Sequence, residues 1–290
     1  MKQKNIELIL PPREAHWVGD GFRVHNFIPA YKSLSMKRLS PFILLDYNSK
    51  YNFPPSATPR GVGVHPHRGF ETVTIAYKGK VEHHDSSGGG GIIADGDVQW
   101  MTAAAGVLHK EFHETEWSKK GGDFHMVQLW VNLPAKNKMN EAKYQAITNE
   151  NMGKYYLLEN DGLVEIIAGE YLGVKGPAST FTPINLFNAK LNKNAKTEFS
   201  FPKDYNTAIL VIEGSIKLNS ELVAENNFVL MANDGENFNI QALENAIVLI
   251  MSGKPIDEPI SAYGPFVMNT EEEIVKAFDD FNSGKFGHLE

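Results

Sequence analysis

The stretch His65-Pro-His-Arg-Gly-Phe-Glu-Thr-Val-Thr-Ile-Ala-Tyr-Lys-Gly-Lys-Val-Glu-His-His-Asp85 reads as extended chain punctuated by glycine. Glu71–Tyr77 and Val81–Asp85 are predicted strands, and Gly79 supplies the positive φ that a tight hairpin between them needs. Ile212-Glu-Gly-Ser-Ile216 repeats the same strand, glycine, strand pattern in the second half. His65 and His67 are two residues apart, so on a strand both project to one side.

Outward from this stretch, short alternating segments broken by Gly, Asn and Asp dominate. Further strands are predicted over Pro41–Tyr47, Gly91–Ile93, Val98–Thr102, Val107–His113 and His125–Asn132. In the second half they are predicted over Val164–Ile167, Thr182–Leu191, Thr197–Phe201, Ala208–Ile212, Ser215–Leu218, Asn227–Met231 and Ala246–Met251. Turns this closely spaced leave no room for crossover helices, so the fold class is all-β, with stacked sheets or barrels. One helix is expected near the end. Thr270-Glu-Glu-Glu273 is a capping box, and Ile274, Phe278 and Phe281 follow on one face. Asn137–Asn151 is polar and is read as a linker. It separates an expected N-terminal domain (1–136) from a C-terminal one (152–290) that carries the helix.

Nine of the ten histidines lie in the first 125 residues, so imidazole has a use in that half. His109 and Glu111 repeat the i, i+2 spacing of His65 and His67. Two such strands facing across a sandwich would aim four ligand atoms at one point. Three neutral imidazoles and a carboxylate suit a divalent first-row metal such as iron, nickel or manganese. A 2+ ion with one carboxylate leaves the site at net +1, which favours an anionic ligand. Glu71 competes with Glu111 for the carboxylate place, and His113 competes as a third histidine. His83 and His84 are adjacent, so at most one points inward. His125 reads as core. Trp100 and Trp130 read as core or as walls of an aromatic pocket. The glycine run Gly88–Gly91 lacks the Lys-Ser/Thr ending of a phosphate loop, and no serine sits in a nucleophile elbow.

Composition narrows the function further. With 290 residues and no cysteine, the chain is long enough for two domains, and any metal must be held by nitrogen and oxygen. The net charge of −7 is unevenly spread, because residues 1–145 hold 18 Lys+Arg against 14 Asp+Glu. No basic run exceeds two residues, so direct nucleic-acid binding is not expected. No leader or membrane span is read, and a cytoplasmic location is expected.

Several motifs resemble those of the pirin family. They are His65-Pro-His-Arg-Gly-Phe-Glu-Thr72, Glu82-His-His-Asp-Ser86, Gly96-Asp-Val-Gln-Trp-Met-Thr-Ala103, Gly106-Val-Leu-His-Lys-Glu111 and Gln128-Leu-Trp-Val-Asn-Leu-Pro134. Glu258-Pro-Ile-Ser-Ala-Tyr-Gly-Pro-Phe-Val-Met-Asn-Thr270 and Gly284-Lys-Phe-Gly287 extend the resemblance over nearly the whole chain. It implies a bicupin, two jelly-roll barrels packed face to face with a C-terminal helix. It also implies one mononuclear metal, commonly iron, in the N-terminal cupin and none in the second. Nickel, manganese, cobalt, copper and zinc are the alternatives. The ligands it implies are His65, His67, His109 and Glu111. Ala104-Ala105 and Lys110 depart from the family pattern beside the third histidine.

Two functions follow from the resemblance. One is a dioxygenase of the quercetin 2,3-dioxygenase type, opening flavonol-like aromatic enols with O2, with Glu111 as catalytic base and Glu71 as its fallback. The alternative is a non-enzymatic metal-binding regulator acting through protein partners.

Overall fold

In the computed structural model, which describes residues 2–158 and 161–290, the chain divides into two compact units. One gathers Glu14–Lys37, Pro41–Asn149 and Ile256–Glu290, and it contains every histidine. The other gathers Met1–Arg13, Arg38–Ser40 and Glu150–Pro255.

Both units are built alike. The histidine-bearing unit pairs a seven-stranded sheet with a four-stranded one. The large sheet runs in the order Lys143–Ile147, Val98–Thr102, Phe70–Lys78, Gly122–Asn132, Phe42–Phe53, Phe22–Ile28, His16–Val18. The small one runs Gly61–His67, Val107–His113, Val81–Asp85, Gly90–Ile93. In the histidine-free unit the large sheet is Ile6–Leu10, Phe228–Met231, Asn206–Glu213, Ala246–Gly253, Ile184–Leu191, Gly162–Ala168, Gly153–Tyr156. Its small sheet is Lys196–Ser200, Asn237–Ala242, Ile216–Leu218, Glu221–Val223. Strands from both sheets of that unit meet in one core, where Phe187, Val211, Phe238 and Ile250 are buried together. This is the two-layer solution for sheets that are apolar on one face.

The two glycine turns do not close hairpins. Gly79 lies between Phe70–Lys78 in the large sheet and Val81–Asp85 in the small one, so it turns the chain from one sheet to the other. Gly214 holds the corresponding corner between Asn206–Glu213 and Ile216–Leu218. Their φ values are +91° and +73°. A Cβ at Gly214 would also fall 2.4 Å from the Asn245 carbonyl oxygen, so this corner has no room for a side chain. The coarse echo between the halves is therefore an echo of sheet-switching corners.

The expected domain boundaries do not match the way the chain packs. Asn137–Asn151 contains the strand Lys143–Ile147, which pairs with Val98–Thr102 at the sheet edge. Its Tyr144 packs against Met101, Ala103 and Val107. The polarity read as a linker is that of an edge strand with one solvated face. At the chain start, Ile6–Leu10 pairs with Phe228–Met231 in the histidine-free unit.

At the chain end, the segment from Ile256 belongs to the histidine-bearing unit. The helix Glu271–Asn282 starts on the expected Thr270–Glu273 capping box. Ile274 and Ala277 pack with Phe266, Met268 and Phe286. Arg68 and Asp280 form a buried ion pair at 2.9 Å, while Arg68 Nε donates to the Ala105 carbonyl and its guanidinium lies over the Phe286 ring. Among the described residues no helix is long and apolar enough to cross a membrane.

Candidate metal centre

His65, His67 and His109 converge, with one ring nitrogen of each within 4.8 Å of the others. The strands carrying them are neighbours in the small sheet, with His109 opposite His65 and Val107 opposite His67. The ligand candidates therefore come from adjacent strands of one sheet rather than from strands facing across the sandwich. On Val107–His113 the odd residues are buried, which turns His109, Glu111 and His113 inward. A register shift between His109 and Glu111 brings Glu111 opposite Val62. Glu111 forms a second potential ligand group with His109 and His83, again within 4.8 Å.

Hydrogen bonding selects which nitrogen of each ring is free. His65 Nδ1 is 2.9 Å from the Gly63 carbonyl and His67 Nδ1 is 3.3 Å from that of Pro265. Carbonyls only accept, so both rings carry a proton on Nδ1, and in the neutral ring the lone pair is then on Nε2. His109 uses Nδ1 as well, toward His83 at 3.5 Å. Its Nε2 is buried without a hydrogen-bond partner among the described residues. A buried polar atom left in this way is costly unless something else binds it. Burial also holds His109 well below the usual histidine pKa and pushes His67 down to about 3, with neighbouring imidazoles adding to the shift. Neutral rings with Nε2 free are the state in which imidazole binds a metal, so the residues fit a first-row ion.

Beside the cluster is a cavity of about 400 Å³. His65, His67 and Glu111 reach it alongside apolar walls that include Phe22, Val24, Met126 and Trp130. Its volume and lining are those of a small-molecule site. Trp130 stacks on Phe70 at 4.2 Å and its edge meets His67, which fixes the aromatic wall. Two further polar groups on the wall, Asp46 and Gln128, escaped the sequence reading. Asp46 directly follows the apolar run Phe42–Leu45 in the strand Phe42–Phe53, and burial raises its pKa against the opposing hydrogen bond from Asn26. An acid in such a strand was the available signal. Gln128 Oε1 lies 2.8 Å from the Thr74 hydroxyl, which is also 3.3 Å from Glu111 Oε1.

The other sequence candidates lie elsewhere. On Phe70–Lys78, Phe70 touches the His67 ring and Thr74 reaches Glu111, so the even positions face the histidines. Glu71, one residue out of phase, faces the other way, where its Oε1 accepts from Thr102 at 2.7 Å. Glu71 was expected to share the His65 and His67 face. That parity does not carry over, because the chain changes sheet between His67 and Phe70. His113 donates through Nε2 to the Gly21 carbonyl and packs among Phe53, Trp117 and Phe124, outside both ligand groups. His125 meets the Tyr47 hydroxyl in the core. Trp100 is fully buried and does not line the cavity. His84 points outward and pairs with Glu82, while His83 points inward. Lys110 is opposite His84 and reaches Glu290, away from the cavity lining. Ala104 and Ala105 are likewise absent from that lining.

The Glu71 environment gives a testable pH dependence. Burial raises its pKa to about 7, with the Thr102 hydroxyl partly offsetting the rise. A raised carboxyl binds protons in the fold that the unfolded chain has released, so stability falls as pH climbs from about 4.5 to 7. Glu71→Gln should therefore raise the melting temperature at pH 8 more than at pH 5. The difference is worth up to about 3 kcal/mol. Metal content should not change. Equal shifts at both pH values would contradict this assignment.

The sequence matches the family model Pirin over residues 21–131 and the model for the pirin C-terminal cupin domain over 186–287. It is 45% identical to a Pseudomonas aeruginosa protein provisionally named quercetin 2,3-dioxygenase, covering 93% of this chain and 94% of that one. It is 36% identical to Pirin-1 of Arabidopsis thaliana, covering 93% and 90%. The crystal structure of a quercetin 2,3-dioxygenase from Acinetobacter baumannii superimposes with a TM-score of 0.94, at 48% identity over the whole of both chains. The chain is a bicupin and belongs to the pirin family.

Proposed function

We propose that this chain is a metal-dependent dioxygenase of the quercetin 2,3-dioxygenase type, opening flavonol-like enols with O2 and releasing carbon monoxide. One divalent transition metal would be held by the Nε2 atoms of His65, His67 and His109 together with the Glu111 carboxylate. Iron(II) is the first candidate, ahead of nickel, manganese, cobalt, copper and zinc. The observation that carries this reading is the convergence of three uncommitted imidazole nitrogens beside an apolar cavity with an aromatic wall. The naming of the P. aeruginosa and A. baumannii relatives supports it.

The chain's own residues have distinct tasks in this reading. Trp130 offers a face to the planar ring system, and Phe22, Val24 and Met126 exclude water around it. Glu111 accepts the proton of the enol hydroxyl, so that the substrate is presented as an anion. Thr74 lies within reach of both Glu111 and Gln128 and keeps the two side chains in register. A metal bound here would supply positive charge that stabilises the enolate and the transition state for O2 attack.

The test loads the chain with iron, manganese, nickel and cobalt in turn and follows a flavonol panel under air. The expected result is loss of the long-wavelength flavonol absorption with about one O2 consumed per ring opened. Inactivity across the panel at full metal occupancy would overturn the oxygenase reading and leave the regulatory one.

A further inference from the structure

His83 and Asp85 have no part in the ligand set above, yet both are buried against it. The two share the inward face of Val81–Asp85, and their partners across the pair are Glu111 and His109. The His83 side chain is 0% exposed. Its Nε2 is 3.3 Å from Asp85 Oδ2 and its Nδ1 is 3.5 Å from His109 Nδ1. The ring stacks on Tyr144 at 5.3 Å and 23°, which limits its rotation.

Only one arrangement of protons satisfies these contacts and leaves a lone pair on His109 Nε2. Asp85 Oδ1 accepts from the Ser87 amide, the Ser87 hydroxyl and the Gly89 amide, an array of donors that suits a carboxylate. A carboxylate accepts only, so His83 carries a proton on Nε2, and in the neutral ring its Nδ1 keeps a lone pair. That lone pair accepts the Nδ1 proton of His109. His109 Nε2, buried and without a hydrogen-bond partner among the described residues, then carries the free lone pair. His65 and His67 are oriented by single carbonyls, whereas His109 is oriented by a second imidazole backed by a carboxylate.

We propose that Asp85 and His83 form a positioning relay that fixes the tautomer of His109 and strengthens its Nε2 as a metal ligand. The inference rests on the metal site proposed above. An ionised carboxylate at the far end pulls the His83 proton, which makes His83 Nδ1 a better acceptor. The stronger pull on the His109 Nδ1 proton then raises electron density at His109 Nε2.

Nitrogen-15 NMR of the histidine-labelled, metal-free chain reads the tautomers without any substitution. The expected spectrum has the proton on Nδ1 in His65, His67 and His109 but on Nε2 in His83. A His83 ring with its proton on Nδ1, or with both, overturns the relay. A second arm titrates cobalt(II) into the wild-type chain and into Asp85→Asn, His83→Leu and His83→Gln. Asp85→Asn and His83→Leu should bind about 10–100-fold more weakly, the range for partners that orient a ligand. His83→Gln keeps an oxygen acceptor for His109 and should recover part of that loss. Equal affinity in all four chains, or a His83 ring carrying the shift of a direct cobalt ligand, overturns the proposal. A wild-type chain that takes up no cobalt while showing the expected tautomers fails the metal reading and not the proton arrangement.

Discussion

His109→Ala is expected to lower metal affinity by at least about 100-fold, because groups that merely orient a ligand already account for roughly 10–100-fold. His109 is the point where the cluster closes, since it belongs to both potential ligand groups and is fully buried. Its loss leaves His65 and His67 from one strand with no imidazole opposite them. Three donors must then hold what four held, and the cavity left at position 109 admits water to the remaining rings. Flavonol turnover should fall with occupancy, and added metal should restore little of it. Full metal content in His109→Ala, measured by elemental analysis after dialysis, would contradict this.

The second large effect concerns stability. Lys138 is 1% exposed, yet among the described residues no carboxylate pairs with it. Its ammonium donates to the Gly69 carbonyl at 2.7 Å, to Asn132 Oδ1 at 2.7 Å and to the Val267 carbonyl at 2.9 Å. All three hydrogens are used, and they tie the turn after His67 to the end of Gly122–Asn132 and to the C-terminal segment. Lys138→Met keeps the side-chain volume but strands three buried acceptors, each costing about 1–3 kcal/mol. The expected loss is roughly 3–5 kcal/mol after relaxation, read as a lower midpoint in urea. Burial pushes the Lys138 ammonium down to about 7. Above that pH the unfolded chain holds a proton that the fold has released, so this group makes wild-type stability rise with pH toward the free-lysine value. Lys138→Met should lack that rise. A midpoint within experimental error of wild type at every pH would sink this account.

Lys138 also shows where sequence reading stops. A lysine in the polar run Asn137–Asn151 carries every local sign of a solvated linker, and only long-range contacts bury it. The same holds for the exchange of termini. Ile6–Leu10 and Glu271–Asn282 are legible as elements, but their partners lie more than 200 residues away or in the opposite half. Where local pattern suffices, the reading is close. Val81–Asp85, Val98–Thr102 and Val107–His113 begin and end as expected, and the helix starts on its capping box. Strand parity is local, so the i, i+2 spacing pointed to His65, His67 and His109, whose ring nitrogens the structure brings together, and to Glu111, which it groups with His109 and His83. Parity misled at Glu71, across the sheet change after His67, and it could not tell which of His83 and His84 turns inward. The His83-x-Asp85 spacing was the overlooked sign, an imidazole and a carboxylate on one face of one strand.

The measurement that bears most directly on the central claim is anomalous X-ray scattering from crystals of the iron-loaded chain, collected on both sides of the iron edge. The account predicts one peak per chain, about 2.0–2.2 Å from the Nε2 atoms of His65, His67 and His109 and from a Glu111 carboxylate oxygen, distances usual for first-row ions with these donors. A peak bound by His83, His109 and Glu111 with His65 and His67 remote would contradict it, as would a stoichiometric iron in the histidine-free unit.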